Sequence, residues 1–272
     1  MSPKHAIKSL GWHVLKGFSS LAPSPARRAP VTVFTLHRLM PDARGELEVT
    51  PEQAESWLRQ IVSRYRILSG DEFLAPPASD QPLALITVDD AFSDAHDHLW
   101  PLLQRLDLPM VLFVPTHFID SGAPPVSFSV DRSRYQPCSW AQLRAMAASP
   151  LITLGAHSHM HREAPIQSQT ELAADTEVTL ARFAAEGLPH PRLYAYPRGK
   201  FNAESATVLG RYFEAGFAGL PHHGLAGELS SMAWPRVPLR GSDAGFWGRR
   251  KIRQGISHEE YWIERIKEGI AT

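Results

Sequence analysis

The chain has 272 residues, 43% hydrophobic and 21% charged, enough to bury a substantial core as one large domain or two small ones. Lys plus Arg and Asp plus Glu stand at 28 each, so the charge balance gives no reason to expect a nucleic-acid partner. Cys138 is the only cysteine, which excludes an internal disulfide and a cysteine-rich metal cluster.

In residues 1–29, Ile7, Leu10, Val14, Phe18 and Leu21 fall on helical spacing, with Lys4, Lys8 and Lys16 beside them. His13 and Lys16 interrupt the apolar run, so neither a cleaved signal peptide nor a membrane span is expected. Two readings stand for this segment, a helix packed on the domain and a helix lying on an anionic membrane surface. The expected location is accordingly cytoplasmic or peripheral to the membrane.

After a Pro/Ser/Arg linker, VTVFTLH (31–37) reads as a strand, and residues 51–65 carry Ala54, Trp57, Leu58, Ile61 and Tyr65 on one helical face. LALITV (83–88) is the next strand, followed by a helical stretch in which Pro101 forces a break or a fresh start. MVLFV (110–114), LITLGA (151–156) and RLYAY (192–196) are further strands, with helices expected at 139–148, 168–186 and 203–213. Weaker strands are expected at AGFAGL (215–220) and RVPL (236–239).

Strands alternating with helices imply parallel pairing with helices over the sheet. About seven such units in one α/β domain point to a closed or nearly closed barrel. The expected organisation is a basic N-terminal segment and linker over 1–29, the barrel over 30–243 and a helical tail over 244–272. In that tail Arg249, Arg250, Lys251 and Arg253 read as a solvated helix face.

Chemistry in a βα barrel sits at the C-terminal ends of strands, and three segments there carry suggestive residues. Asp89 and Asp90 end the strand 83–88 as adjacent carboxylates that resist burial together. One beside a divalent cation stays ionised as a ligand, while the other remains free to accept a proton. Helix capping explains one of the pair and leaves the other.

His157, His159 and His161 follow the strand 151–156, and the i, i+4 pair His157 and His161 can face one ion, with His159 pointing elsewhere. Two imidazoles and a carboxylate make an open site for zinc, with iron(II) the competing metal. The acid beside the proposed ligand favours a metal hydrolase. In YAYPRGKFN (194–202), Pro197 and Gly199 set a sharp turn whose amides can donate to an oxyanion.

Together these segments resemble the polysaccharide deacetylase family, carbohydrate esterase family four. TVDDAFSD is similar to its T-F-D-D-G-Y motif, HSHMH to H-[S/T]-x-x-H, and YAYPRG to F-A-Y-P-x-G. VTVFTLHRLMPD and the segment after it extend the likeness over roughly 30–240.

The resemblance implies a distorted (β/α) barrel, usually seven-stranded, a divalent metal such as zinc, and removal of N-acetyl groups from an amino sugar in a polysaccharide, oligosaccharide or glycolipid. It places Asp90, His157 and His161 on the metal, Asp89 as the base and the Arg198 backbone amide in the oxyanion hole. Phe92, Tyr196, Pro197 and Trp234 are candidates for the sugar site, with core packing the more expected role for each aromatic.

The chain departs from the family pattern in three places. Ala91 stands where the family has glycine, so the turn must avoid a positive φ or accept strain. The arginine that orients the base in many members aligns with Ala195. The late L-x-H histidine, the usual general acid, has no counterpart in WPRVPLRG, which leaves His222, His223, His37 and His117 as candidates. Two rival functions follow: release of another acyl group, such as formyl, from a lipid-linked amino sugar, and glycan binding without turnover.

Overall fold

Strand β1 (Val31–Leu36) is buried at every position, so both of its faces are covered. A parallel sheet with helices outside and side chains packed within produces that pattern, and the computed structural model, which describes residues 30–123, 134–219 and 231–255, has this arrangement. In chain order β1 is followed by β2 (Arg38–Leu39), β3 (Glu48–Val49), α1 (Pro51–Val62), β4 (Arg66–Leu68), α2 (Gly70–Leu74) and β5 (Leu83–Val88). A π-helical turn (Ala95–Leu99) leads into α3 (Trp100–Leu106), so Pro101 does mark a fresh start. Then come β6 (Met110–Val114), α4 (Thr116–Ser121), α5 (Trp140–Ala147), β7 (Ile152–Ala156), α6 (Gln169–Ala185), β8 (Leu193–Ala195), α7 (Ala203–Leu209), β9 (Ala215–Ala218), β10 (Trp234–Pro235), β11 (Val237–Pro238) and α8 (Phe246–Gln254).

The main sheet runs β10-β9-β8-β7-β6-β5-β1-β11, with every pairing parallel and β4 beside the start of β5. β10 and β11 are one chain segment interrupted at Arg236: its first half pairs with β9 and its second with β1. The sheet thereby returns to its first strand. Counting that segment once, seven strands form the wall of the barrel, as the alternation of elements implied.

Side-chain parity divides the apolar residues. Val31, Val33, Leu85, Val111, Phe113, Leu193, Ala195 and Phe217 fill the interior, joined by Phe73 of α2. Phe34, Leu36, Ile86, Val88, Leu112 and Leu154 face outward onto Trp57, Leu58, Ile61, Leu103 and other helical residues. Near the upper end of the interior the apolar series gives way to Thr35 and Thr87, and Thr87 Oγ1 donates to the Phe34 carbonyl at 3.1 Å. Each interior series therefore changes from apolar to polar along the strand. Followed one step further, its parity reaches His37 after β1, Asp89 after β5 and His157 after β7.

Helix α8 is not wholly a solvated face. Gly248 lies against the Trp57 indole of α1 so closely that a Cβ would come within 2.4 Å of Nε1. Lys251 is buried, pairing with Asp243 at 2.7 Å and donating to the Pro238 carbonyl at 3.0 Å. Apolar packing around Ile252 and Gly248 draws that lysine inward, against the expectation from charge alone. The N-terminal segment 1–29 and the tail beyond 255 lie outside the described residues, and no helix among those described is long and apolar enough to cross a membrane.

Lys251→Met leaves the Asp243 carboxylate buried without its cation, and the expected loss is about 3 kcal/mol. A lowered urea midpoint at unchanged slope checks it.

Candidate active site

The C-terminal ends of the strands converge on one cluster. Asp90 Oδ1 lies 3.2 Å from His161 Nε2 and 3.5 Å from His157 Nε2, and the two imidazole centroids are 4.9 Å apart. His157 is held by its other nitrogen, Nδ1, 2.7 Å from the Ala195 carbonyl of β8, which turns Nε2 toward Asp90. Asp90 Oδ1 is buried and has no hydrogen-bond partner: both imidazole nitrogens face it, yet neither meets hydrogen-bond geometry.

Such an orphaned oxygen fits a cation better than a proton. Three ligands at about 2.0–2.1 Å in tetrahedral array stand about 3.3 Å apart, close to the carboxylate–imidazole separations here. Among the described residues, Asp90, His157 and His161 are the one group of three or more His, Cys, Asp or Glu whose donor atoms converge in this way, all within 4.8 Å.

The loop after β7 is not helical. Ser158 and His161 take left-handed φ values of 66° and 53°, and the His161 amide donates to Ser158 Oγ at 2.8 Å. From α6, the Asp175 carboxylate accepts the His159 and Met160 amides at 2.7 and 2.9 Å, fixing the loop from outside. His159 turns away to Thr116, 2.8 Å from Oγ1, and to His117, whose ring is 5.3 Å from its own.

Asp89 is set apart from its neighbour by its partners. Arg236, the residue between β10 and β11, places Nη1 2.7 Å from Asp89 Oδ1 and 3.3 Å from Thr35 Oγ1. On the other carboxylate oxygen, His37 Nε2 approaches Oδ2 at 3.7 Å. Burial alone would raise the Asp89 carboxyl, but Arg236, then His157 and His37, outweigh it and hold the group below the usual carboxylate range.

Burial opposes ionisation of Asp90 in the same way, and the two imidazoles beside it hold its carboxyl well below that range. Burial lowers His37 below the ordinary histidine value, against the pull of Asp89 and Asp90. It also opposes protonation of His157, but there Asp90 and Asp89 prevail and raise it. Both acids are thus charged at neutral pH, each answered by a different set of partners.

Turning the chain so that adjacent carboxylates face one mouth requires left-handed backbone, with φ of 72° at Asp90 and 46° at Ala91. Ala91 accepts the strain where a glycine would avoid it, about 1 kcal/mol. The third turn follows β8: Gly199 N–H donates to the Tyr196 carbonyl at 2.7 Å, and Arg198 has φ 56°. Gly199 combines a positive φ with a contact so close that a Cβ would meet Gly219 at 2.5 Å. The Arg198 side chain points outward to Glu163 at 3.0 Å.

The aromatics named as sugar-site candidates have core-packing contacts. Phe92 is fully buried against Phe118 and Tyr135. Tyr196 has outward parity and packs with Tyr194, Phe201 and the residues of α7. Trp234 begins the last strand, paired with Phe217, and packs on Phe73 in the interior plug. Pro197 is buried in the turn.

Of the acid candidates, His37 reaches Asp89, His117 is exposed beside His159, and His222 and His223 lie outside the described residues. Arg236 was missed by motif reading, although its parity in the final strand points it inward opposite Asp89.

Fold and site together define a parallel (β/α) barrel with a two-histidine, one-carboxylate donor set and a second acid beside it. The polysaccharide deacetylase family model matches residues 77–212, half of the chain, and the chain belongs to that family. Its fold is similar to that of IcaB from Ammonifex degensii, at 19% identity over 86% of this chain and 100% of that one, TM-score 0.67. It is also similar to the Streptococcus pyogenes deacetylase PplD in complex with acetate, at 15% identity, 86% and 100% coverage and TM-score 0.65. A de-N-acetylase from Aggregatibacter actinomycetemcomitans gives 16%, 82% and 99%, and 0.65. A search of curated proteins found no match.

Arg236→Met removes the cation that depresses Asp89, so burial prevails and its carboxyl rises. The acid limb of a kcat/KM profile is then expected to move to higher pH, with bound metal unchanged on elemental analysis.

Proposed function

We propose that the protein is a metal-dependent hydrolase that removes N-acetyl groups from an amino sugar in a polysaccharide, oligosaccharide or glycolipid. The observation that carries this reading is the division of the adjacent acids: Asp90 faces the two imidazoles and Asp89 faces Arg236 and His37. Family membership and the similarity in fold to a de-N-acetylase support the choice of bond.

Asp90, His157 and His161 would hold the ion, zinc by the nature of the donor set. When bound, it lowers the pKa of water and polarises the acyl oxygen. Arg236 fixes Asp89 Oδ1, so that Oδ2 is the atom left to take a proton from the attacking water. The Arg198 amide, at the turn after β8, is the donor offered to the developing oxyanion.

As the C–N bond breaks, His37 supplies the proton that the leaving nitrogen needs. Asp89 then releases its proton to solvent and His37 takes one up, restoring both groups. This choice takes a residue of the first strand in place of the late histidine that the chain lacks.

Two substitutions separate ligand from base. His157→Ala is expected to lose zinc and amine release together, whereas Asp89→Asn keeps zinc and loses at least 100-fold in rate, about the contribution of one general base. An Asp89→Asn protein with undiminished rate contradicts the mechanism.

The acid role has its own sign. His37 donates only while protonated and burial lowers it, so kcat/KM should fall as pH rises through a value below the ordinary histidine value of about 6.5. His37→Gln should abolish that limb of the profile.

A further inference from the structure

Arg38 is buried outside the donor set, yet it touches every segment that bears on the strained turn. Its Nε donates to Asp94 Oδ2 at 2.9 Å, and the neighbouring Leu39 amide donates to Asp94 Oδ1 at 2.8 Å. Nη1 reaches Glu48 of β3 at 3.4 Å, and Nη2 donates to the Arg134 carbonyl. The guanidinium sits in the corner formed by two rings, with Cζ 4.7 Å from the Phe92 centroid and 4.5 Å from that of Tyr135, the rings themselves meeting edge to face at 68° with centroids 5.6 Å apart.

Phe92 directly follows Asp89, Asp90 and Ala91, so one face of the guanidinium rests on the residue that ends the turn. The second ring, Tyr135, belongs to a strap, residues 134–138, bonded to the same turn. The Cys138 amide donates to the Ala91 carbonyl at 2.8 Å, its thiol to the Phe92 carbonyl at 3.2 Å, and the Ser93 amide to the Gln136 carbonyl at 2.9 Å.

Asp90 and Ala91 are both left-handed without glycine, a conformation that persists only where its surroundings enforce it. The strap and the Asp94 anchor enforce it from two sides, and Arg38 is bound to both. A lysine could keep the charge but not the fork or the planar group seated against the rings.

We propose that Arg38 is a positioning residue for the metal-ligand turn: seated in the corner of the Phe92 and Tyr135 rings and anchored on Asp94, it holds Asp90 in the left-handed conformation that aims its carboxylate at His157 and His161. The inference rests on the metal-site reading above, and it concerns affinity for the ion in the absence of substrate.

Zinc affinity, measured by competition with a chromophoric chelator on metal-stripped protein, tests it, with His157→Ala as the blank. Arg38→Lys is expected to bind zinc about tenfold more weakly. Tyr135→Leu, which removes one ring and its hydroxyl from the guanidinium and leaves the bonds to Asp94 and Glu48 in place, should lose about threefold. Adding Ala91→Gly to Arg38→Lys should recover most of the loss, because glycine adopts the turn unaided.

Wild-type affinity in both Arg38→Lys and Tyr135→Leu overturns the inference and leaves the metal site standing. A double variant as weak as Arg38→Lys also overturns it, since a loss unrelated to the turn would not respond to glycine. Wild-type protein that binds no better than the blank removes the metal-site reading, and this inference with it.

Discussion

Two carboxylates joined by one peptide bond cannot both be buried and ionised unless each has its own counter-charge. The whole upper end of this barrel is arranged around that requirement. Asp90 is answered by His157 and His161 from the end of β7, Asp89 by Arg236 from the closing strand and by His37 from the first. The barrel brings these strands together, since β10 and β11 return the sheet to β1 and carry Arg236 to Asp89 Oδ1. The barrel's closure is therefore also what completes the environment of Asp89.

The backbone bears part of the load. Of the non-glycine residues with positive φ among those described, Asp90, Ala91, Ser158, His161 and Arg198 all lie in the three turns at the strand ends, and only Asp107 lies elsewhere. Left-handed residues concentrated where side chains must converge are held by groups farther out: Asp175 on the β7 loop, the strap 134–138 on the first turn, and Gly219 against Gly199 on the third. The ligands are fixed through these contacts before any ion is considered.

Much of this was legible in the residues. The strands at 31–37, 83–88, 110–114 and 151–156 were found to within a residue because a fully buried parallel strand is a bounded aliphatic run. β4 and the pair β2 and β3 were not, being two or three residues long with no period to read. Ala91 announced a strained turn, and the structure has one. Arg236 and Arg38 escaped motif reading because their roles depend on contacts 147 and 56 residues away in the chain. Phe92 and Tyr196 are buried, as the packing role expected of single aromatics has it. Lys251 departs from expectation, a charge assigned to solvent that the core holds in an ion pair.

The central claim is that the two adjacent acids have different partners and different duties. X-ray absorption at the zinc edge, on protein loaded with one equivalent of zinc, tests it most directly. The account predicts a first coordination shell of two imidazole nitrogens and one carboxylate oxygen from the protein, unchanged in Asp89→Asn. A shell that loses an oxygen in Asp89→Asn, or that contains only one imidazole, would contradict it.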